Sequence, residues 1–348
     1  MNIAASQFED ANSADHEIYA KPGKSVSLED CLFYHTMDVP GYGTILGPCD
    51  LRKGVRDYLG RVDFEGKRVL EIGTTDGFFC YYMESKGADV VAYDLSENHP
   101  WDIVPYARFS QSEYDRIVIS RKDSIRRLSS AFWLCHHAFN SKAKMVYGTA
   151  YAVPQTIGPV DISTFGAILL HVRDPFFALQ NALRLTKEIV IITEPYLKEN
   201  FPLDFLANFQ APLQPAVPDA VAENTDLDHA RSQTAFLHGG WIRRFSGLFA
   251  LRRPRKRSTP KVQSVPASSI DLITRARGPF MVFLPDFLTG DPWDTWWYLS
   301  LDIVKRFIGV LGFEQVEVFY HHQEFVGGRQ VPFYTVVGHR TKDAQIVL

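Results

Sequence analysis

GKRVLEIGTTDGFFCYYMESKGADVVAYD, residues 66 to 94, writes a strand, a glycine turn, a helix and a second strand ending in an acid. Arg68 to Ile72 is a short aliphatic run bounded by glycine, which reads as a buried parallel strand. Gly73 and Gly77 punctuate the turn, where the chain must bend sharply and where bare backbone lets a ligand approach. Phe78 to Lys86 reads as the helix, with Gly87 as its cap. The second strand, Asp89 to Tyr93, delivers Asp94 about 20 residues beyond the turn, the place of a carboxylate that accepts hydrogen bonds from ribose hydroxyls. That order of parts is the architecture of a nucleotide-binding unit, and the expected ligand carries a ribose.

The turn itself, Gly73-Thr74-Thr75-Asp76-Gly77, lacks the middle glycine that lets a pyrophosphate approach, which disfavours a nicotinamide dinucleotide. VLEIGxxxG, with Glu71 two residues before the first glycine and Asp94 closing the next strand, resembles the cofactor motif of class I S-adenosylmethionine-dependent methyltransferases. Their cofactor has no phosphate to cradle. The resemblance implies a Rossmann-like α/β fold with a seven-stranded sheet, helices on both faces, and cofactor contacts from Glu71, Gly73, Thr74, Thr75, Gly77 and Asp94.

Two further segments extend the likeness. VDISTFGAILLHVRDPFFALQNALRLTKEIVIITEP, residues 160 to 195, reads as a strand over Thr164 to Leu170, a helix with Asp174 as N-cap and Pro175 at its first position, and a strand over Glu188 to Thr193. It is similar to the fourth strand, helix and fifth strand of a bacterial methyltransferase group related to the enzymes that finish wobble uridines in tRNA, whose strand ends in LLHLRDP. The same group carries YHT, DLR, TWW and GF in the order found here at residues 34 to 36, 50 to 52, 295 to 297 and 312 to 313. Two departures stand out: Thr75 replaces the common central glycine, and a long insertion separates Pro195 from Trp293.

From the same resemblance, Leu95, Trp101, Ala150 and Tyr151 line the cofactor pocket, with ordinary packing as the alternative for Leu95 and Trp101. His171 and Arg173 are the candidate catalytic pair. An imidazole with an ordinary pKa near 6.5 can take the proton of a hydroxyl nucleophile, and it can equally orient substrate or pack. Arg173 clamps an anionic group or pairs with Asp174 or Asp161. Tyr34, His35, Asp50 and Arg52 in the N-terminal cap, with Trp296 and Trp297, offer an aromatic substrate wall or core.

Composition agrees with a globular enzyme. The 348 residues are 46% hydrophobic and 22% charged with a net charge of −3, which gives no global attraction to nucleic acid. Four separated cysteines, Cys31, Cys49, Cys80 and Cys135, point to neither a zinc site nor a disulfide framework, so no metal and a reducing cytoplasm are expected. The polar, acidic start is unlike a secretion signal, and no run approaches the roughly 20 apolar residues of a membrane span.

The expected divisions are a tail over 1–27, a cap over 28–60 with a helix at Leu51 to Leu59, a cofactor-binding core over 61–197, an insertion over 198–292 and the core's C-terminal part over 293–348. Ile125, Leu128, Phe132, Cys135 and Phe139 mark a helix inside the core, while Ser300 to Leu311, Gln315 to Phe319 and Phe333 to Gly338 read as the closing helix and strand pair. Within the insertion, residues 239–261 concentrate basic charge beside aromatics, as a solvated loop, a peripheral membrane contact or an RNA contact would. The leading expectation is O-methylation of a small or carrier-linked molecule, such as a sugar or secondary metabolite, with S-adenosylmethionine. The alternatives are a tRNA-modifying methyltransferase and a catalytically silent binding module; the oligomeric state is open.

Overall fold

The computed structural model describes residues 18–21, 26–99, 101–196 and 278–342. The N-terminal part contributes β1 (Met37–Val39), β2 (Gly43–Ile45), β3 (Cys49–Asp50) and one helical turn, α1 (Val55–Tyr58). The core runs β4 (Arg68–Ile72), α2 (Phe78–Glu84), β5 (Asp89–Asp94), α3 (Gln111–Ala138), β6 (Lys144–Tyr147), β7 (Val160–Gly166), α4 (Pro175–Leu183) and β8 (Thr186–Pro195). The C-terminal part adds β9 (Met281–Phe283), β10 (Trp297–Leu299), α5 (Leu301–Val310), β11 (Gln315–Phe325) and β12 (Arg329–His339).

The large sheet has the order β3-β11-β12-β8-β7-β4-β5-β6. Counted from β4 as the first core strand, this is 3-2-1-4-5-7-6 with β3 added at the far edge. β4 is parallel to β5 and β7, β5 to β6, and β7 to β8, whereas β12 runs antiparallel to both β8 and β11. The fold is therefore a Rossmann-like α/β sheet, parallel at its centre and closed on one side by an antiparallel strand pair. The order reverses direction at β4, so a crevice opens at the carboxyl ends of β4 and its neighbours, where ligands of open α/β sheets collect.

Local chemistry explains the elements. β4 buries four consecutive residues, Val69 to Ile72, as a central parallel strand must. α3 starts at a capping box: the Glu113 amide donates to Ser110 Oγ while Glu113 Oε2 accepts from the Ser110 amide at 2.8 Å. Its buried stripe, Ile117, Arg121, Ile125, Leu128, Phe132 and Cys135, follows helical spacing. Asp174 Oδ1 accepts from the Phe177 amide at 3.0 Å and Pro175 opens α4, as the sequence predicts.

Several boundaries differ from expectation. The helix expected at Leu51 to Leu59 is the single turn Val55–Tyr58, and α3 begins well before Ile125. β11 and β12 extend over eleven residues each and pair along their whole length, far beyond Gln315 to Phe319 and Phe333 to Gly338. The strand expected at Thr164 to Leu170 is β7, which begins at Val160 and stops at Gly166. Ala167 adopts a left-handed φ of 52° and donates its amide to Thr193 O, so the chain leaves the ladder and Leu169–His171 forms a 3-10 turn.

Inside the segment read as a tail, Ala20 bridges to Met145 on β6 and Tyr19 accepts from Arg68. Inside the segment read as insertion, β9 pairs with β10. The basic stretch 239–261 lies outside the described residues. No described helix is long and apolar enough to cross a membrane. All four cysteines are free and buried.

Candidate functional site

The glycine turn sits at the carboxyl end of β4. Gly73 has φ 83° and Gly77, the N-cap of α2, has φ 86°; both conformations suit a residue without a side chain. Thr75, in place of the common central glycine, also takes a positive φ, 53°, which aims its amide at Asp94 Oδ2, 2.6 Å away. Asp94 Oδ1 accepts from the Leu95 amide at 2.7 Å. Each carboxylate oxygen retains acceptor capacity, and the half-buried Asp94 stands where ribose hydroxyls would donate. Burial pushes its carboxyl up to about 6.

Glu71 lies beneath the turn, 3% exposed. Thr74 Oγ1 donates to its Oε2 at 2.7 Å, and Oε1 has no hydrogen-bond partner. Burial raises this carboxyl to about 8, against the Thr74 hydrogen bond and with help from Asp94 and Asp76. A small pocket at the ends of β4, β7 and β8 is lined by Glu71, Gly73, Gly166, Thr193, Tyr58 and Phe79.

Asp76, a spacer in the motif as read from sequence, is fully buried and ties the turn to the N-terminal segment. Its Oδ2 accepts from the amides of Tyr34 at 2.8 Å and His35 at 2.7 Å, and its Oδ1 lies 2.7 Å from His35 Nδ1. His35 is itself buried and stacks on Phe78 at the start of α2. Its ring is thus committed to the turn. Arg52 is committed elsewhere: Nε and Nη2 donate to Asp50 and Nη1 to Asp38, at 2.6 to 2.8 Å, which pins the β1–β2 hairpin to β3.

His171 ends the 3-10 turn beyond β7, where Glu194 at the end of β8 accepts from the Leu169 amide at 2.9 Å. Burial pushes the Glu194 carboxyl up to about 8. His171 is half-buried, its ring centroid 5.7 Å from that of Trp101. Nδ1 lies 2.7 Å from the carbonyl oxygen of Asp294; a carbonyl only accepts, so Nδ1 carries the proton in that bond. Burial holds the imidazole below its ordinary pKa.

Asp102, beside Trp101, organises the outer rim. Its Oδ2 accepts from the Arg173 amide at 2.9 Å and from the Tyr151 hydroxyl, while its carbonyl accepts from Trp296 Nε1 at 2.6 Å. Tyr151 stacks on Phe177 of α4, and its hydroxyl accepts from the Asp174 amide at 3.2 Å. The loop carrying Ala150 and Tyr151 is pinned to β5 by the Tyr93 hydroxyl, which donates to Thr149 O at 2.9 Å. Arg173 lays its guanidinium 5.0 Å from the Trp296 ring centre rather than pairing with Asp161, which binds Lys187. Trp296 is buried and Trp297 half-buried, the latter donating Nε1 to Arg173 O at 3.0 Å.

Stretches far apart in sequence therefore meet in two pairs: residues 34–36 with 73–77, and residues 169–175 with 294–297. Asp76, Arg121, Glu194 and Asp294 are the charged groups that sequence reasoning did not single out. Arg121 was detectable in principle, since it falls four residues after Ile117 and four before Ile125, on the apolar stripe of α3.

No protein-family model and no curated protein matches the chain. Among solved structures, the N-terminal domain of EvdMO1, crystallised in the presence of SAH and D-fucose, is 14% identical with a TM-score of 0.42 and 97% of each chain covered. The magnesium protoporphyrin IX methyltransferase ChlM from Synechocystis with bound SAH is 10% identical with a TM-score of 0.40, covering 84% of this chain and 82% of its own. A SAM-dependent methyltransferase from Methanosarcina mazei is 13% identical with a TM-score of 0.37, covering 79% of this chain and 93% of its own.

Proposed function

We propose that this chain is an S-adenosylmethionine-dependent methyltransferase that methylates a hydroxyl of a small or carrier-linked molecule. The observation that carries the reading is the glycine turn at the sheet's switch point, with the half-buried Asp94 carboxylate on one side and His171 on the rim of the same sheet end. The residues fit that cofactor: Asp94 suits a ribose, and Glu71 is a buried carboxyl that a cationic ligand would draw into its ionised form. The unpartnered Glu71 oxygen matches a ligand bearing an ammonium and a sulfonium.

When bound, S-adenosylmethionine supplies an electrophilic methyl whose carbon–sulfur bond breaks with its electron pair left on sulfur. The chain's part is to align the acceptor oxygen, exclude water and take the hydroxyl proton. His171 suits the last task, because its depressed pKa keeps it neutral at physiological pH and its Nδ1 proton is occupied with Asp294 O. The acceptor's oxygen–hydrogen electron pair would stay with oxygen, available to the methyl, as the proton passes to the His171 imidazole. Trp101 supplies an aromatic surface beside it.

Calorimetry with S-adenosylmethionine and S-adenosylhomocysteine tests the reading. Binding of both by the wild type and at least tenfold weaker binding by Asp94→Ala is the expected result. A wild type that binds neither ligand overturns it.

A further inference from the structure

Behind His171 lies a buried ion pair that the reaction as described does not use. Arg121 of α3 is 1% exposed, and its Nη2 lies 2.5 Å from Oδ2 of the fully buried Asp294. The guanidinium sits between two indoles, 4.5 Å from the Trp101 ring centre and 4.2 Å from that of Trp293. Two buried charges are costly to remove from water, and replacing such a pair by apolar side chains is often neutral or stabilising. Stability alone is a poor reason for the pair. What it does fix is the path of the segment 293–296.

That segment is stitched on both sides by its backbone. Val104 N donates to Trp293 O at 2.7 Å, and Trp296 N donates to Leu170 O at 2.8 Å. Between these bonds the Asp294 side chain turns inward to Arg121 while its carbonyl turns outward to His171 Nδ1. Thr295 Oγ1, 3.5 Å from Nδ1, is a weaker neighbour. Nδ1 of the ring is thus tied to the Asp294 carbonyl, and the residue that carries this carbonyl is tied to Arg121.

We propose that Arg121 and Asp294 are positioning residues for His171: their ion pair, clamped by Trp101 and Trp293, holds the Asp294 carbonyl against Nδ1 so that the neutral imidazole presents the Nε2 lone pair to the acceptor's proton. The tautomer of a histidine is set by the hydrogen bond its other nitrogen makes. With Nδ1–H committed to a carbonyl, only Nε2 can accept a proton. Among the described residues, the charged groups acting on the ring are Asp294, which favours the imidazolium, and Arg121, which opposes it; burial opposes it most. The base role of His171 rests on the proposed function. The tautomer does not.

The test is the two-bond proton–nitrogen correlation spectrum of the full chain labelled with ¹⁵N-histidine, with the His171 signals assigned by their loss in His171→Gln. The wild type is expected to show a protonated Nδ1 and an unprotonated Nε2 at neutral pH, titrating below 6.5. Asp294→Asn keeps the backbone carbonyl but removes the charge that anchors it. In that variant the proton should redistribute between the two nitrogens, and the titration should move further down, because the carboxylate that favours the imidazolium is gone while the Arg121 guanidinium stays.

Protonation of Nε2 in the neutral wild type overturns the proposal. So does a folded Asp294→Asn with unchanged tautomer and titration. If Asp294→Asn does not fold, Trp293→Leu, which opens one face of the clamp and leaves both charges, is read by the same criteria. No cofactor enters the measurement, so failure of cofactor binding and failure of this proposal are separate results.

Discussion

At the scale of single residues, the carboxyl ends of β4 and β5 hold acids whose protons respond to a cationic ligand. Burial raises Glu71 to about 8 and Asp94 to about 6, so at pH 7 the former is largely protonated in the free protein. A ligand bearing ammonium and sulfonium groups favours the ionised form of Glu71, and its binding must then release a proton below pH 8. Affinity for S-adenosylmethionine is therefore expected to rise with pH between 6 and 8. Glu71→Gln keeps an acceptor for Thr74 and abolishes the proton, so it should flatten that rise. Calorimetry in two buffers of different ionisation heat counts the protons directly, and equal release by wild type and variant would refute the assignment. Gly77 makes a separate demand. A Cβ there would lie 2.5 Å from the Tyr81 ring at a φ of 86°, so Gly77→Ala should cost at least about 1–2 kcal/mol in denaturant unfolding.

At the scale of elements, Asp76 is the joint between the glycine turn and the N-terminal segment. One buried carboxylate satisfies two backbone amides and one imidazole across more than forty residues of chain. Asp76→Ala leaves all three without a charged acceptor, and about 3 kcal/mol of stability should be lost. The variant should also lose cofactor affinity, because Asp76 lies between Thr75, whose amide holds Asp94, and Gly77. A urea midpoint unchanged from wild type would show that the joint carries no load. This contact also marks where sequence reasoning stops. β4, the glycine turn, α2 and β5 were legible because their pattern is local: an aliphatic run, glycines at a bend and an acid at a strand end. Asp76 was not, since an aspartate in a turn already has a local explanation in turn chemistry. Nor was the end of β7 legible, because Ala167 leaves the ladder under the influence of Thr193 and Glu194, neighbours supplied by β8. Arg121 was hidden among the charges of a long helix, although its place in the apolar stripe was readable.

At the scale of the whole chain, the parallel strands β4, β5, β7 and β8 point the same way, so Glu71 of β4 and Glu194 of β8, distant in sequence, are both buried towards the carboxyl end of the sheet. The consequence is a pH dependence of global stability whose sign can be worked out. Glu71 and Glu194 have folded pKa values of about 8, above the ordinary glutamate value of 4.5. A raised acid contributes stability that is fully present below its unfolded pKa and is lost as pH rises through the folded value, because the unfolded chain gives up the proton first. Two histidines work in the opposite direction. His321, pushed down to about 4 by burial, and His171, also depressed, lose their stabilising effect as pH falls below the unfolded value of 6.5. Above 6.5 the histidine contribution is complete, while the two glutamates continue to act up to about 8. Stability should therefore fall by on the order of 3 kcal/mol between pH 6.5 and 8. Glu194→Gln retains an acceptor for the Leu169 amide and should remove about half of the slope. Guanidinium midpoints at the two pH values measure it, and equal wild-type midpoints would mean that these two carboxyls do not stay protonated in the folded chain. S-adenosylmethionine should restore part of the loss at pH 8, because a ligand that binds the ionised form of Glu71 stabilises the folded state by mass action where that form prevails.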